Sequence, residues 1–433
     1  MNDLCILGAH LADKIGLWDV GIKDGKISVV EPKGQVIDAK ETINADGLTL
    51  LPGIIDAHIH ARDPGFTHKE DFKSATMAAA NGGVTTVMAM PNSNPPATTI
   101  GAIRKAKEAL KNKSIVDAYL AGGVCAAFPS WIDSLISEEV IALDVFDNIF
   151  SYGTKTWIET FKLLQKANIP ICFYLMDNDV EQLRKQLRRQ SGASEIEQII
   201  HATSGETEAM SIARIFPIAA YFDVPVVIRM LSTADGLKMV RLMRNMYPNA
   251  KVYAEVCVHY LFLTSDNLKK DGSSAHIHPP LRTQQDVDEL WVGVKDGTVD
   301  YISSDHAPHA KYEKNKETLS ECGSGMVGLE TMLPLLLDAC HKNKIITADI
   351  LRLCCENPAK IFGLSHKKGT ISVGLDADLV LIDESIKWTV DSKYFYTKGA
   401  KSPFEGWRLW GKPLLTISKG KKVMVDGAII TEH

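Results

Sequence analysis

The stretch Leu51-Pro-Gly-Ile-Ile-Asp-Ala-His58-Ile-His60-Ala-Arg62-Asp-Pro-Gly65 decides the fold. Ile54-Ile55 open a short apolar run that ends in His58-Ile59-His60. Alternate side chains of a strand share a face, so the two imidazoles point the same way. Two imidazoles on one face at a strand end can chelate a metal. Arg62 follows on the same side, and Asp63-Pro64-Gly65 ends the strand, because proline cannot donate to the ladder and Pro-Gly is turn chemistry. Alone, a His-x-His pair also occurs as packed histidines, so the surrounding pattern has to carry the argument.

From about residue 51 to 365, apolar strand-like runs alternate with amphipathic helical ones. Thr85–Met90, Ile115–Leu120, Ile169–Leu175, Val224–Met230, Val252–Val256 and Tyr301–Ser304 read as buried strands. Lys69–Ala80, Thr99–Lys111, Trp157–Lys166, Val180–Gln190, Thr207–Tyr221, Thr233–Met246 and Gly328–His341 read as helices. Such alternation implies a parallel sheet, and about eight repeats over ~300 residues fit an α/β fold of the (β/α)8 type. The same length also allows two or three smaller domains. In a barrel, the chemistry gathers at the C-terminal ends of the strands, where His58 and His60 fall.

The flanks have a different pattern. Leu4–Gly8, Leu17–Lys23, Lys26–Val30 and Leu48–Leu50 are short β runs, with Asp24-Gly25 as a hairpin turn. Gly21-Ile-Lys-Asp-Gly25-Lys26 resembles a phosphate loop only superficially, being one residue short and lacking the hydroxyl after lysine. Gly369–Asp383, Leu414–Ser418 and Lys422–Val425 return to β character. The expected division is a β-sandwich built from 1–50 and 366–433 beside a barrel spanning 51–365.

Of the 433 residues, 45% are hydrophobic and 23% charged, and the net charge is −5. This is ordinary globular composition, with nothing that suggests a nucleic-acid or membrane surface. No stretch approaches the ~20 apolar residues of a membrane span. No signal peptide is evident, and the eight scattered cysteines lack zinc-finger spacing, so a reducing, cytoplasmic setting is expected.

Three further stretches carry chemistry. Tyr301-Ile-Ser-Ser-Asp305-His-Ala-Pro-His309 places a carboxylate at a strand end, fit to be a metal ligand or general base, with His309 in the loop beyond. Met90-Pro-Asn92 ends another strand, and the Asn92 amide can meet an anionic or amide group. His276-Ile-His278-Pro-Pro-Leu-Arg282 reads as a loop over the mouth, with His278 and Arg282 as candidates for substrate contact. His259, after Glu255-Val-Cys257-Val, either lines the pocket or is packed there.

With these stretches quoted, the chain resembles the long bacterial dihydroorotases of the amidohydrolase superfamily. The resemblance covers nearly the whole chain. It rests on the residues 52–65, Gly82–Asn92, His259–Thr264, Pro279–Arg282, Asp305–His309, Gly328–Thr331, Asn357–Lys360 and Ser402–Gly406. It implies reversible hydrolysis of a cyclic amide (dihydroorotate to N-carbamoyl-aspartate, a step of pyrimidine biosynthesis) on a zinc-bearing barrel. His58, His60 and Asp305 match metal ligands, Asp305 also matches the general acid/base, and Arg62, Asn92 and His309 match groups that hold substrate. The resemblance further implies a homodimer and possible association with aspartate transcarbamoylase.

The departures concern the second metal. Tyr174 and Met230 stand where the family has histidines, Phe150-Ser-Tyr152 stands where a bridging ligand is expected unless the register slips to Asp147 or Lys155, and His278 replaces an asparagine. Tyr and Met are poor ligands for a hard, water-activating zinc. One metal per chain is therefore expected. The alternative is an inactive homologue with a structural or partner-binding role, or a hydantoinase- or allantoinase-like hydrolase.

Overall fold

The computed structural model describes residues 1–34, 38–124, 132–145, 153–167, 169–176 and 178–430. The chain begins with five strands: β1 (Asn2–Leu11), β2 (Leu17–Lys23), β3 (Lys26–Pro32), β4 (Ala39–Asn44) and β5 (Thr49–Pro52). Asp24 and Gly25 both adopt positive φ (51° and 76°), so the β2–β3 connection is the tight hairpin that Asp-Gly favours.

Eight strands then form the barrel sheet: β6 (Ile54–Ile59), β7 (Val84–Ala89), β8 (Asp117–Val124), β9 (Ala142–Val145), β10 (Ile171–Tyr174), β11 (Val226–Arg229), β12 (Val252–Cys257) and β13 (Tyr301–Ser303). They pair in sequence order, all parallel. The ring closes where Ile59 bridges His306 and the His60 N–H donates to the His306 carbonyl at 2.8 Å. β6, β7, β9, β11 and β13 are buried at every residue, as expected of parallel strands covered by helices outside and side chains within. Ala57, Met88, Ala121, Ala142, Cys172, Val227 and Tyr301 pack together in one buried cluster.

The chain returns through β14 (Leu379–Thr389), β15 (Arg408–Ser418), β16 (Lys421–Val425) and β17 (Ala428–Ile429). These strands and the first five form one nine-stranded sheet, ordered β17-β16-β15-β14-β5-β1-β2-β3, with β4 also on β1. Leu4, Ile6, Val20, Ile22, Leu379, Leu381 and Ile417 share a core of their own, so the terminal segments pair as expected.

Two of the ties between the sheet and the barrel lie where the chain passes from one to the other. β5 runs through Gly53 directly into β6, and a side chain at Gly53 would collide with Thr85. Lys368, almost fully buried, reaches Asp117 at the start of β8 (2.6 Å) and pairs with Asp378 just before β14. Among the described residues no helix is long and apolar enough to cross a membrane.

Candidate active site

A cavity of about 340 Å³ opens at the C-terminal ends of the barrel strands. His58, His60, Arg62, Asn92, Asp305 and His309 all line it, and so do Tyr174, Met230 and His278. The strand ends that present them are irregular. The β6–β7 register shifts between Asp56 and Ile59, and such a bulge re-aims the side chains that follow. Arg62, Met230 and Asp305 have φ of 59°, 53° and 44°. Left-handed backbone at non-glycine residues costs on the order of 1–3 kcal/mol each, and three such residues line one cavity.

The histidines are oriented from behind. His58 Nδ1 lies 2.9 Å from Glu255 Oε1, and His60 Nδ1 lies 2.8 Å from Asn92 Oδ1. A carboxylate and an amide oxygen only accept, so each Nδ1 carries a hydrogen; each Nε2 faces Asp305, towards which it donates when protonated, and offers a lone pair once deprotonated. Both Nε2 atoms face Asp305 Oδ1, at 3.5 Å from His58 and 3.1 Å from His60. Burial pushes the Asp305 carboxyl up, but His58 and His60 more than offset this and hold it below the ordinary carboxylate range. Three electron-pair donors therefore converge on one point of the cavity wall, an arrangement that a divalent cation satisfies. The donor set fits a metal of the zinc class. Two other clusters, His58–Glu255–Cys257 and Cys257–His259–Asp305, have similar spacing, but Glu255, Cys257 and His259 do not line the cavity.

Behind this set lies a buried ionic chain. The Arg229 guanidinium pairs with Glu255 Oε2 and Asp144 Oδ2, both at 3.2 Å, and donates to the Ala57 carbonyl (2.9 Å) and the Tyr301 hydroxyl (3.0 Å). Burial opposes the Glu255 charge, yet Arg229 and His58 bring its carboxyl down to about 2. Neither Arg229 nor Asp144 is among the residues selected from sequence. The available signal is a charge in each of two otherwise apolar strands, at the end of Val-Val-Ile-Arg229 and within Val-Tyr-Ala-Glu255-Val-Cys257, since charges buried in such strands are paired.

The predicted substrate contacts fall into two groups. Arg62 is half-buried and makes no ion pair among the described residues; its Nε lies 3.4 Å from the Pro308 carbonyl and its Nη2 lies 3.5 Å from His309 Nε2. His309 donates from Nε2 to the Ser324 carbonyl at 3.0 Å, and its ring lies so close to Gly323 that any side chain there would collide. Burial, with Arg62 and Lys69 nearby, brings the His309 imidazole down to about 4, so it is neutral at pH 7. Asn92 lines the cavity, but its oxygen is occupied by His60. His306, between the two predicted residues, is fully buried and braces the loop through Glu70 (3.1 Å) and the Gly328 N–H (3.1 Å).

Arg282 does not line the cavity. It is buried and donates to Ser232 Oγ and the Thr203 carbonyl, both at 3.0 Å, bracing the loop from inside. His259 is packed rather than lining, and burial brings its imidazole down to about 4. Tyr174 and Met230 do point into the mouth, as their alignment with the missing histidines requires. Phe150, Ser151, Tyr152 and Asp147 lie outside the described residues. Lys155 is exposed on the helix Gly153–Leu164, 4.0 Å from Glu159, and takes no part in the site.

A barrel with His-x-His on its first strand and an aspartate on its last defines a metal-dependent hydrolase class. A sequence model of the Amidohydrolase family matches residues 49–423, and the chain belongs to that family. It is 33% identical to a dihydroorotase of Methanothermobacter thermautotrophicus over 414 residues, covering 95% of this chain and 92% of that one. It is 32% identical to a dihydroorotase of Acetivibrio thermocellus, covering 99% and 100%. Among solved structures, the L-hydantoinase (dihydropyrimidinase) of Arthrobacter aurescens superposes with a TM-score of 0.94 at 26% identity, over 100% of this chain and 98% of that one. The dihydropyrimidinase of Brevibacillus agri gives 0.89 at 25%, over 99% and 96%.

Proposed function

We propose that the chain hydrolyses a cyclic amide, dihydroorotate, to N-carbamoyl-aspartate, with one zinc ion held by His58, His60 and Asp305. The observation that carries this reading is the convergence of two imidazole nitrogens and a carboxylate in one cavity, beside a guanidinium with no ion pair among the described residues. A bound divalent cation supplies charge that acidifies water and polarises a carbonyl. The chain's own groups do the rest. Arg62 binds the carboxylate of the substrate, and neutral His309, held by the Ser324 carbonyl, lines the cavity beside it. Asp305 accepts the proton of the attacking water and delivers it to the ring nitrogen as the C–N bond breaks. Glu255 and Asn92 keep both histidines in the Nδ1–H form throughout. The same reading takes 1–50 with 366–433 as the flanking domain, 51–365 as the catalytic one, and a cytoplasmic homodimer as the working unit.

The alternative, an inactive homologue that supports a partner such as aspartate transcarbamoylase, draws on Tyr174 and Met230 lining the cavity in place of histidines. Elemental analysis and dihydroorotate hydrolysis on the same sample separate the two. About one zinc per chain with turnover, lost in Asp305→Asn while the fold persists, is the expected result. No metal and no turnover after zinc is supplied would overturn the proposal in favour of the partner role.

A further inference from the structure

Two residues that depart from the family pattern, far apart in the chain, are bonded to each other. The Tyr174 hydroxyl lies 2.9 Å from His278 Nε2, and both side chains line the cavity that holds His58, His60 and Asp305. Behind them stands Glu181, nearly fully buried, whose Oε2 has no hydrogen-bond partner among the described residues and lies 3.6 Å from the same Nε2. Its other oxygen is taken by Lys185 at 2.6 Å. Tyr174 is the last residue of β10, paired in register with Arg229, so its position is fixed by the barrel.

The proton inventory follows from this geometry. Burial lowers the His278 imidazole below its ordinary value, and burial raises the Tyr174 phenol well above its own, so one ring N–H and one O–H are present. Glu181 can only accept. In the tautomer with its hydrogen on Nε2, His278 donates to the Tyr174 oxygen at 2.9 Å and faces the Glu181 carboxylate at 3.6 Å, beyond hydrogen-bond distance. The phenol accepts from His278 and keeps its own hydrogen for a partner in the cavity.

We infer that Tyr174, held by His278 and Glu181, donates a hydrogen bond to the carbonyl oxygen of the cyclic amide, where negative charge develops as water adds. The inference rests on the hydrolase reading above and adds a catalytic residue to it. His278 and Glu181 are positioning residues in this arrangement. A fixed donor aimed at a developing oxyanion is typically worth about 10²–10³-fold in kcat.

The test is steady-state dihydroorotate hydrolysis by the zinc-loaded full chain. Tyr174→Phe removes the hydroxyl at nearly constant volume; kcat should fall about 100-fold or more, with KM and zinc content close to wild type. His278→Gln, which retains a side-chain N–H for the phenol oxygen, should keep most of kcat, while His278→Ala should approach the Tyr174→Phe rate. Wild-type turnover with Tyr174→Phe kcat within about threefold would overturn the inference and leave the hydrolase reading standing. A wild-type chain that binds zinc and does not open the ring would overturn both.

Discussion

Replacing Arg229 by methionine removes the cation from a buried chain that runs Asp144–Arg229–Glu255–His58. Two carboxylates then lose their shared partner at 3.2 Å, and the Ala57 carbonyl and Tyr301 hydroxyl lose a donor. Breaking one side of a buried pair typically costs ~3–5 kcal/mol, because the charge left behind stays desolvated. For 433 residues at about 2.1 cal/mol/K each, the unfolding entropy is roughly 0.9 kcal/mol/K, so Tm should fall by about 3–6 °C. The second effect is on the metal. Glu255 without Arg229 no longer holds His58 Nδ1 in a fixed place, and loss of such support commonly weakens metal binding by about 10–100-fold. Scanning fluorimetry reads the first effect, and zinc competition against a chromophoric chelator reads the second. The double variant Arg229→Met with Glu255→Leu should recover part of the Tm but none of the zinc affinity, since His58 then has no acceptor. An Arg229→Met chain with wild-type Tm and wild-type zinc affinity would refute the reasoning.

Arg62→Met should raise KM for an anionic substrate by about 10–100-fold and leave zinc content unchanged, because a charge-assisted hydrogen bond contributes ~1.5–3 kcal/mol; an unchanged KM would remove Arg62 from substrate binding. Glu330, buried among Asn81 and the Tyr396 and Thr397 N–H groups, gives a pH prediction. Burial raises its carboxyl from 4.5 to about 8. A raised value in the folded chain means that its stability contribution is complete below about 4.5 and is lost as pH climbs through about 8. Tm should therefore decline between roughly pH 5 and 8.5, and less so in Glu330→Gln; parallel slopes would show that Glu330 does not titrate there.

The barrel and its mouth were legible because their signals are local. His58, His60 and Asp305 each follow an apolar run, and strand period and turn chemistry place all three at one end of the barrel. The fourth barrel strand, Ala142–Val145, went unread; four residues are too few for a periodicity to show. The helix Gln284–Asp296 also escaped notice, although Thr283 caps it. Arg282 reads as a substrate contact from its place in a loop over the mouth, but its side chain is buried and donates to Ser232 Oγ and the Thr203 carbonyl. The support behind the histidines was invisible for another reason. Asn92 and Glu255 reach His60 and His58 across 32 and 197 residues, and no spacing rule in one sequence links such partners.

The strand that leads into the barrel has a consequence for how the protein is made. β5 lies between β1, formed in the first dozen residues, and β14, which begins at Leu379. During synthesis one edge of β5 stays open while more than 300 residues of barrel emerge, at about 5–20 residues per second. For that interval the nascent chain carries an apolar, unpaired strand edge, the kind of surface that recruits chaperones or another chain. The barrel's first strand is thus anchored to a sheet that only the last part of the chain can complete.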